Sequence, residues 1–265
     1  MANCRQQKVV DERNFWPGMI LIFIFTFNCQ IGAVTKHALL IGIDDYSISG
    51  LDNLKGTDND LQLIKNVLLD NLRFKEQDII TLKNKNATHS RLEKAFSQLA
   101  DRVNVGDFIY IHYCGHGSQV PDNDGDEYPG LFDQTWVPYG SRCPLMEGKD
   151  RYDITDDELH GWLLPIFDKT DNVVIVSDSC YSAGVTRGDI LHARSVSPDQ
   201  RPYPSLAKIV VEKDFAGGIL IGAAQDDELA FEAIFDGKIH GLFSWYWLDV
   251  LKKSRPGDTW SDLFQ

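Results

Sequence analysis

The chain is short of several things that would point to other classes of protein. Its five cysteines, Cys4, Cys29, Cys114, Cys143 and Cys180, form no C-x-x-C pair and no even set. That spacing excludes a disulfide framework and gives no zinc-ligand pattern. Basic charge is scarce: 26 Lys and Arg stand against 39 Asp and Glu, a net charge of -13. Nucleic acid needs a basic surface and is excluded as a partner. A cation or a basic peptide suits the balance better. No internal repeat or low-complexity tract appears. An EF-hand is missing too. Residues 122–127, DNDGDE, look like one, but placing Gly125 at the sixth loop position puts Val120 first and Leu131 twelfth, where carboxylates are required.

Charge is also absent from Phe15 to Val34, with MILIFIFTF at the centre and Arg5, Lys8 and Arg13 before it. Residues 1–33 therefore read as a signal peptide or N-terminal membrane anchor, with a tether through 15–34 and an extracytoplasmic or membrane-anchored protein as the expectation. The apolar centre is short for a full span, and Asn28, Cys29 and Gln30 interrupt it. A cytoplasmic enzyme behind a mis-assigned start is the alternative.

What remains, 34–265, suits one α/β domain. HALLIGI (37–43), DIITL (78–82), DFIYIHY (107–113), NVVIVSD (172–178) and GGILIGAA (217–224) read as strands. Helices are expected from Thr57 or Asp58 as cap, over 89–100, from a capping signal at Thr155 to a stop near Pro165, and over 240–253. Alternating strands and helices predict a mostly parallel central sheet with helices on both faces. Residues 185–213, rich in Arg, Ser and Pro, read as an exposed mobile loop. The closing GDTWSDLFQ reads as the start of another helix, so a longer parent protein is expected.

Two apolar runs end in tight small-residue turns, YCGHG and DSCYSAG, which deliver His116 and Cys180. A thiol and an imidazole at the carboxyl edge of one sheet are the parts of a cysteine nucleophile and its proton carrier. The turn and the imidazole are expected to lower the Cys180 pKa. The flanking glycines of His116 leave the Gly117 amide free to donate. His112 and His160 lack such a setting and read as structural. Asp133, the pair Asp156 and Asp157, and Asp189 fall on loops near the same edge, where a hard cation such as calcium would relieve their repulsion.

YCGHGSQVPDNDGDE followed by DSCYSAG resembles the caspase-like cysteine peptidases, and within them the metacaspase group of the type I-like, bacterial kind. ALLIGIDDY, LKGTDND, ITDDEL, GAAQDDELAFE and GLFSWYWLDVL extend the resemblance over most of 36–253. It implies a caspase-like three-layer sandwich and a cysteine endopeptidase, with Cys180 as nucleophile and His116 as proton carrier. The amides of Gly117 and Cys180 would form the oxyanion hole. The pocket for the residue before the cut bond would hold Asp60 and Asp178, lined by Thr57 and Cys114. That implies polypeptide substrates cut after Arg or Lys, not Asp. Calcium, activating rather than catalytic, would be held by Asp133, Asp156, Asp157 and Asp189. The family's usual Cys-His-Ser-Gly is Cys180-Tyr181-Ser182-Ala183-Gly184 here, and the extra residue shifts the register toward Asp189. A monomer is expected, and self-cleavage within 185–213, which carries Arg187, Arg194, Arg201 and Lys208. A non-catalytic caspase-like module that binds a protein partner is the alternative, and an esterase or transferase using the same Cys–His pair is a third.

Overall fold

The computed structural model describes residues 34–122, 125, 132–181, 192–203, 218–224, 228–255, 258 and 263. In chain order its elements are β1 Lys36–Gly42, α1 Thr57–Asp70, β2 Ile79–Lys83, α2 His89–Arg102, β3 Phe108–Cys114, β4 Gly117–Pro121, β5 Phe132–Trp136, β6 Ile154–Thr155, α3 Asp156–Phe167, β7 Val173–Asp178, β8 Gly218–Gly222, β9 Glu232–Phe235, β10 Lys238–Gly241 and α4 Leu242–Lys253. The 15–34 stretch, Val34 apart, lies outside the described residues, as do Asp189, Arg187 and Lys208. Among the described residues no helix is long and apolar enough to cross a membrane.

The expected parallel sheet is present, with strand order β2-β1-β3-β7-β8. Its three inner strands read as unbroken apolar runs because both faces are covered. Successive residues face opposite layers. Leu39, Ile41, Ile109, Ile111, Val173 and Ile175 join Leu92, Phe96 and Leu99 of α2 and Leu163 and Ile166 of α3. Ala38, Leu40, Tyr110, Val174 and Val176 join Leu61, Ile64 and Leu68 of α1 and Trp247, Leu248 and Leu251 of α4. The result is helix layer, sheet, helix layer, a three-layer sandwich.

Three local details bear on the sequence expectation. Helix α1 is capped by neither Thr57 nor Asp58. The Asp44 carboxylate, in the turn after β1, accepts from Thr57 N at 3.1 Å and Asp58 N at 3.2 Å. A strand tip thus supplies the acceptor that a local residue would otherwise provide. Helix α3 carries the expected capping box, Thr155 with Glu158, and ends near Pro165 as expected. Its last turn runs to Phe167, because the proline removes one N–H while Asp168 N still reaches Leu164 O at 2.9 Å. The third detail is a pair of short antiparallel pieces absent from the sequence reading: β4-β5-β6 and the β9–β10 hairpin. The hairpin turns on Asp236 and Gly237, both at positive φ, an Asp-Gly signal of the type that favours such turns.

Candidate active site

The strand tips set the site. Parallel register puts Gly42, Cys114 and Asp178 side by side at the carboxyl edge of β1, β3 and β7. Two residues beyond these tips the chain reaches His116 and Cys180. Gly117 has to be glycine, since a Cβ there would collide with the Cys180 carbonyl. The two turns therefore meet backbone to backbone.

His116 is locked by its surroundings. Its N–H donates to Tyr46 Oη at 2.9 Å, and its carbonyl accepts from Tyr113 Oη at 2.7 Å. The ring lies 4.5 Å from that of Tyr46. Nε2 sits 2.8 Å from the Asp52 carbonyl. A carbonyl can accept only, so Nε2 carries the proton and Nδ1 is the basic nitrogen. Nδ1 is buried and has no hydrogen-bond partner among the described residues. Burial lowers the pKa of this imidazole to about 4, against the pull of the Asp52 carbonyl. The Asp52 backbone carbonyl thus fixes the orientation of the ring.

Cys180 corrects an expectation. Its thiol pKa is raised, not lowered, chiefly by burial. What covers the sulfur is polar: Ala230 O lies 3.9 Å away and Ser195 is also hydrogen-bonded to it. The residue belongs to neither apolar cluster. Iodoacetamide should therefore alkylate Cys180 of the intact protein slowly at neutral pH, at a rate still climbing above pH 9, the thiol's ordinary value. Mass spectrometry of the Cys180 peptide reads this directly, and a rate already level at neutral pH would contradict it.

The second correction concerns residues 185–213. The described part, 192–203, does not stand off as an exposed loop. Arg194 is completely buried. Its Nη2 is 2.6 Å from Asp60 Oδ2 and 3.2 Å from Glu232 Oε1, and its Nη1 is 2.9 Å from Asp178 Oδ2. Burial alone would lower the pKa of this guanidinium. Asp178 and Asp60 overcome it and hold the pKa well above the usual arginine value. Three carboxylates from three distant elements are what a local reading of an Arg-rich segment omits.

Each acid is itself held. Asp60 Oδ1 accepts from His240 Nδ1 at 2.9 Å, and Gly241 N reaches Oδ2 at 3.0 Å. Asp178 Oδ2 accepts from Ser244 Oγ at 2.5 Å and Ser244 N at 3.1 Å. Glu232 Oε1 accepts from Gly56 N at 2.7 Å. Gly241 floors the chamber, since a Cβ there would strike Asp178 and the guanidinium. Of the four residues expected to line the pocket, three come together, with one ligand atom each of Asp60 in the first turn of α1, Cys114 at the end of β3 and Asp178 at the end of β7 within 4.8 Å of the others, while Thr57 opens α1 three residues before Asp60. Glu232 and His240 were not found from the sequence, although the Asp-Gly turn between them marked their hairpin.

The backbone around Arg194 is equally fixed. Its carbonyl accepts from Gly117 N at 3.0 Å and Cys180 N at 3.1 Å. Its N–H donates to Ala230 O at 2.9 Å, and Glu232 N donates to His192 O at 2.9 Å, an antiparallel bridge of Ala193 with Phe231. Beyond it, Val196 N donates to Gly117 O at 3.1 Å and Asp199 N to Gln119 O at 2.9 Å. Ser118 Oγ lies 3.1 Å from Ser197 O, and Arg142 Nη1 donates to the same oxygen at 2.7 Å.

Of the expected calcium ligands, Asp133 on β5 and Asp156 and Asp157 in the first turn of α3 bring one oxygen each within 4.8 Å of one another. A set of carboxylate oxygens, with no sulfur or imidazole, fits a hard cation. The three acids of the Arg194 chamber have their cation already in the guanidinium.

Comparison with known proteins follows the same lines. A family model described as the caspase domain matches residues 35–265. Metacaspase-1 of Pyricularia oryzae is 29% identical over 196 residues, which are 72% of this chain and 45% of that protein. Metacaspase-7 of Arabidopsis thaliana is 31% identical over 157 residues, 57% of this chain and 36% of that protein. The chain thus spans under half the length of these relatives. A crystal structure of a protein from Geobacter sulfurreducens shares the fold, with a TM-score of 0.62 over 86% of each chain at 23% identity.

Proposed function

The chain belongs to the caspase-domain peptidase family, and on that premise we propose that it is a cysteine endopeptidase cutting polypeptides after Arg or Lys, activated by calcium and able to process itself. One observation carries the reading: a guanidinium held by Asp60 and Asp178 beside a carbonyl that takes both the Gly117 and Cys180 amides. A hole lined with carboxylates binds a cation and repels an aspartate, and a paired acid geometry suits the planar fork of arginine.

The chemistry follows from the same atoms. His116 Nδ1 takes the Cys180 proton, and Sγ attacks the carbonyl carbon of the residue in the chamber. The two amides stabilise the oxyanion, at about 3–4 kcal/mol per donor. The imidazolium then protonates the departing amine. Asp52 keeps the ring's other nitrogen protonated, which leaves Nδ1 as the base. Water hydrolyses the thioester and restores the thiol.

Calcium, if bound by Asp133, Asp156 and Asp157, would join β5 to the start of α3. The residues present supply oxygen ligands and no proton-transfer role. A calcium-induced rise in melting temperature, lost in Asp133→Asn, would support this, and unchanged melting and activity in excess chelator would remove it.

Fluorogenic peptides ending in Arg, Lys or Asp, offered with and without calcium and with Cys180→Ala as control, test the reading. Arg and Lys peptides should be cleaved and Asp peptides left intact. Preferential cleavage after Asp would overturn the specificity. The non-catalytic alternative predicts no Cys180-dependent turnover of any of them.

A further inference from the structure

We propose that Arg194–Ser195 is the bond this enzyme cuts in its own chain, and that until it is cut Arg194 shuts the site against other substrates. The inference rests on the cysteine-peptidase reading above and adds to it the bond and the block.

Every subsite contact expected of a bound substrate is made by residues 192–199. A peptide to be cut must put its carbonyl between the oxyanion donors, and the Arg194 carbonyl accepts from both Gly117 N and Cys180 N. Its side chain must fill the pocket, and Arg194 does so with three carboxylates. Its upstream residues must add to a strand edge, and Ala193 bridges Phe231 in the antiparallel sense. Its downstream residues must be held while the amine leaves, and Ser195 bridges Gly117 while Ser118 and Arg142 grip Ser197. Segments that merely cover a surface do not satisfy four such demands in one register.

The contacts also select the bond. Arg201 lies seven residues on, where its guanidinium pairs with Asp199 outside the chamber. Among the described residues, the backbone carbonyl that takes the two amides is that of Arg194.

The step balances without an outside reagent except water. The Cys180 thiol proton passes to His116 Nδ1, and an Sγ–C bond forms at the Arg194 carbonyl. The C–N bond to Ser195 breaks as His116 returns the proton to the Ser195 nitrogen. Water then splits the thioester, leaving an Arg194 carboxylate, a Ser195 amine and the free thiol.

Before the cut, the tethered arginine competes with any incoming one. A strap closed on itself has an effective concentration in the millimolar range, so turnover of dilute peptide should be suppressed on the order of tenfold or more. After the cut, Ser195 is no longer joined to Arg194, and the arginine holds its place only as a product.

The full-length protein, incubated with calcium and in parallel with chelator, tests both halves. Terminal sequencing and intact mass should give one break, with a new chain starting at Ser195. Its rate should be independent of protein concentration and absent in Cys180→Ala. Hydrolysis of an Arg-ending peptide should show a lag that tracks the break. Arg194→Gln should not break there and should hydrolyse the peptide from the first moment, about tenfold faster than uncut wild type. Arg194→Lys, which keeps a charge in the chamber and guards against a folding defect in the first variant, should break more slowly at the same bond. A break elsewhere, a concentration-dependent rate, or an equal lag in Arg194→Gln would overturn the proposal. If wild type and Arg194→Gln both hydrolyse Arg peptides at once while Arg194–Ser195 stays intact, self-cleavage fails and the peptidase reading stands. If no form cuts Arg peptides or itself, both fall.

Discussion

Cys180→Ala should fold as the parent does and lose Arg-peptide hydrolysis by on the order of 10⁴–10⁶-fold. The size of the loss follows from the route. Without the sulfur no thioester forms, and the two amides and the acid chamber can bind a peptide but not open it. His116→Ala should lose activity on nearly the same scale, and the double substitution little more, because the pair acts as a unit. The fold should tolerate the first change easily, since Cys180 packs into neither apolar cluster. Matching circular dichroism with residual hydrolysis above about one per cent of the parent would assign the chemistry to another group.

The second large effect is expected at Asp60. Asp60→Asn keeps the shape and removes one of three charges around the Arg194 guanidinium. The amide cannot serve both sides of the residue. His240 Nδ1 and Gly241 N approach it as Arg194 Nη2 does, and all need acceptors. An NH₂ group turned either way faces a donor. Breaking a buried pair in this manner costs roughly 3–5 kcal/mol. Urea unfolding in a Cys180→Ala background, where the chain stays uncut, should show that loss. Adding Arg194→Met should recover most of it, since the stranded cation is then gone. With self-cleavage active, Asp60→Asn should also cut kcat/KM for Arg peptides by about 10³-fold or more, because the pocket's polar groups are left badly matched. Additive stabilities in the double variant would mean that the pair is not coupled as the geometry requires.

How far the sequence reached depends on whether each feature was local. Strands β1, β3 and β7 were legible because a parallel strand covered on both faces must be apolar at every position. Their ends were legible as reactive turns because glycines and serines stop such runs abruptly. The capping box of α3 was legible because Thr155 and Glu158 are three residues apart. The α1 cap was not, since Asp44 lies on another element and no helical spacing links it to Thr57. Short β4 is polar and carries no period to read. The chemical state of Cys180 was read backwards, because the direction of its shift depends on what lies over it, and the cover comes from Arg194, Ser195 and Ala230. Burial of Arg194 was out of reach for a similar reason. An arginine in a Ser- and Pro-rich stretch belongs in water unless acids from elsewhere are assembled to receive it, and Asp60, Asp178 and Glu232 come from positions far apart in the chain.

The pairing of β7 with β8 determines what a nick between them would leave behind. Five residues of β8 lie in register with β7, from Val173 beside Gly218 to Ser177 beside Gly222. Farther along the same C-terminal portion, Trp247, Leu248 and Leu251 share an apolar layer with Leu61 and Ile64, each buried side chain contributing roughly 1.5–3 kcal/mol. Neither fragment could leave without baring that layer to water. Detergent electrophoresis would then display two bands where size-exclusion chromatography elutes a single peak at the mass of the unbroken chain.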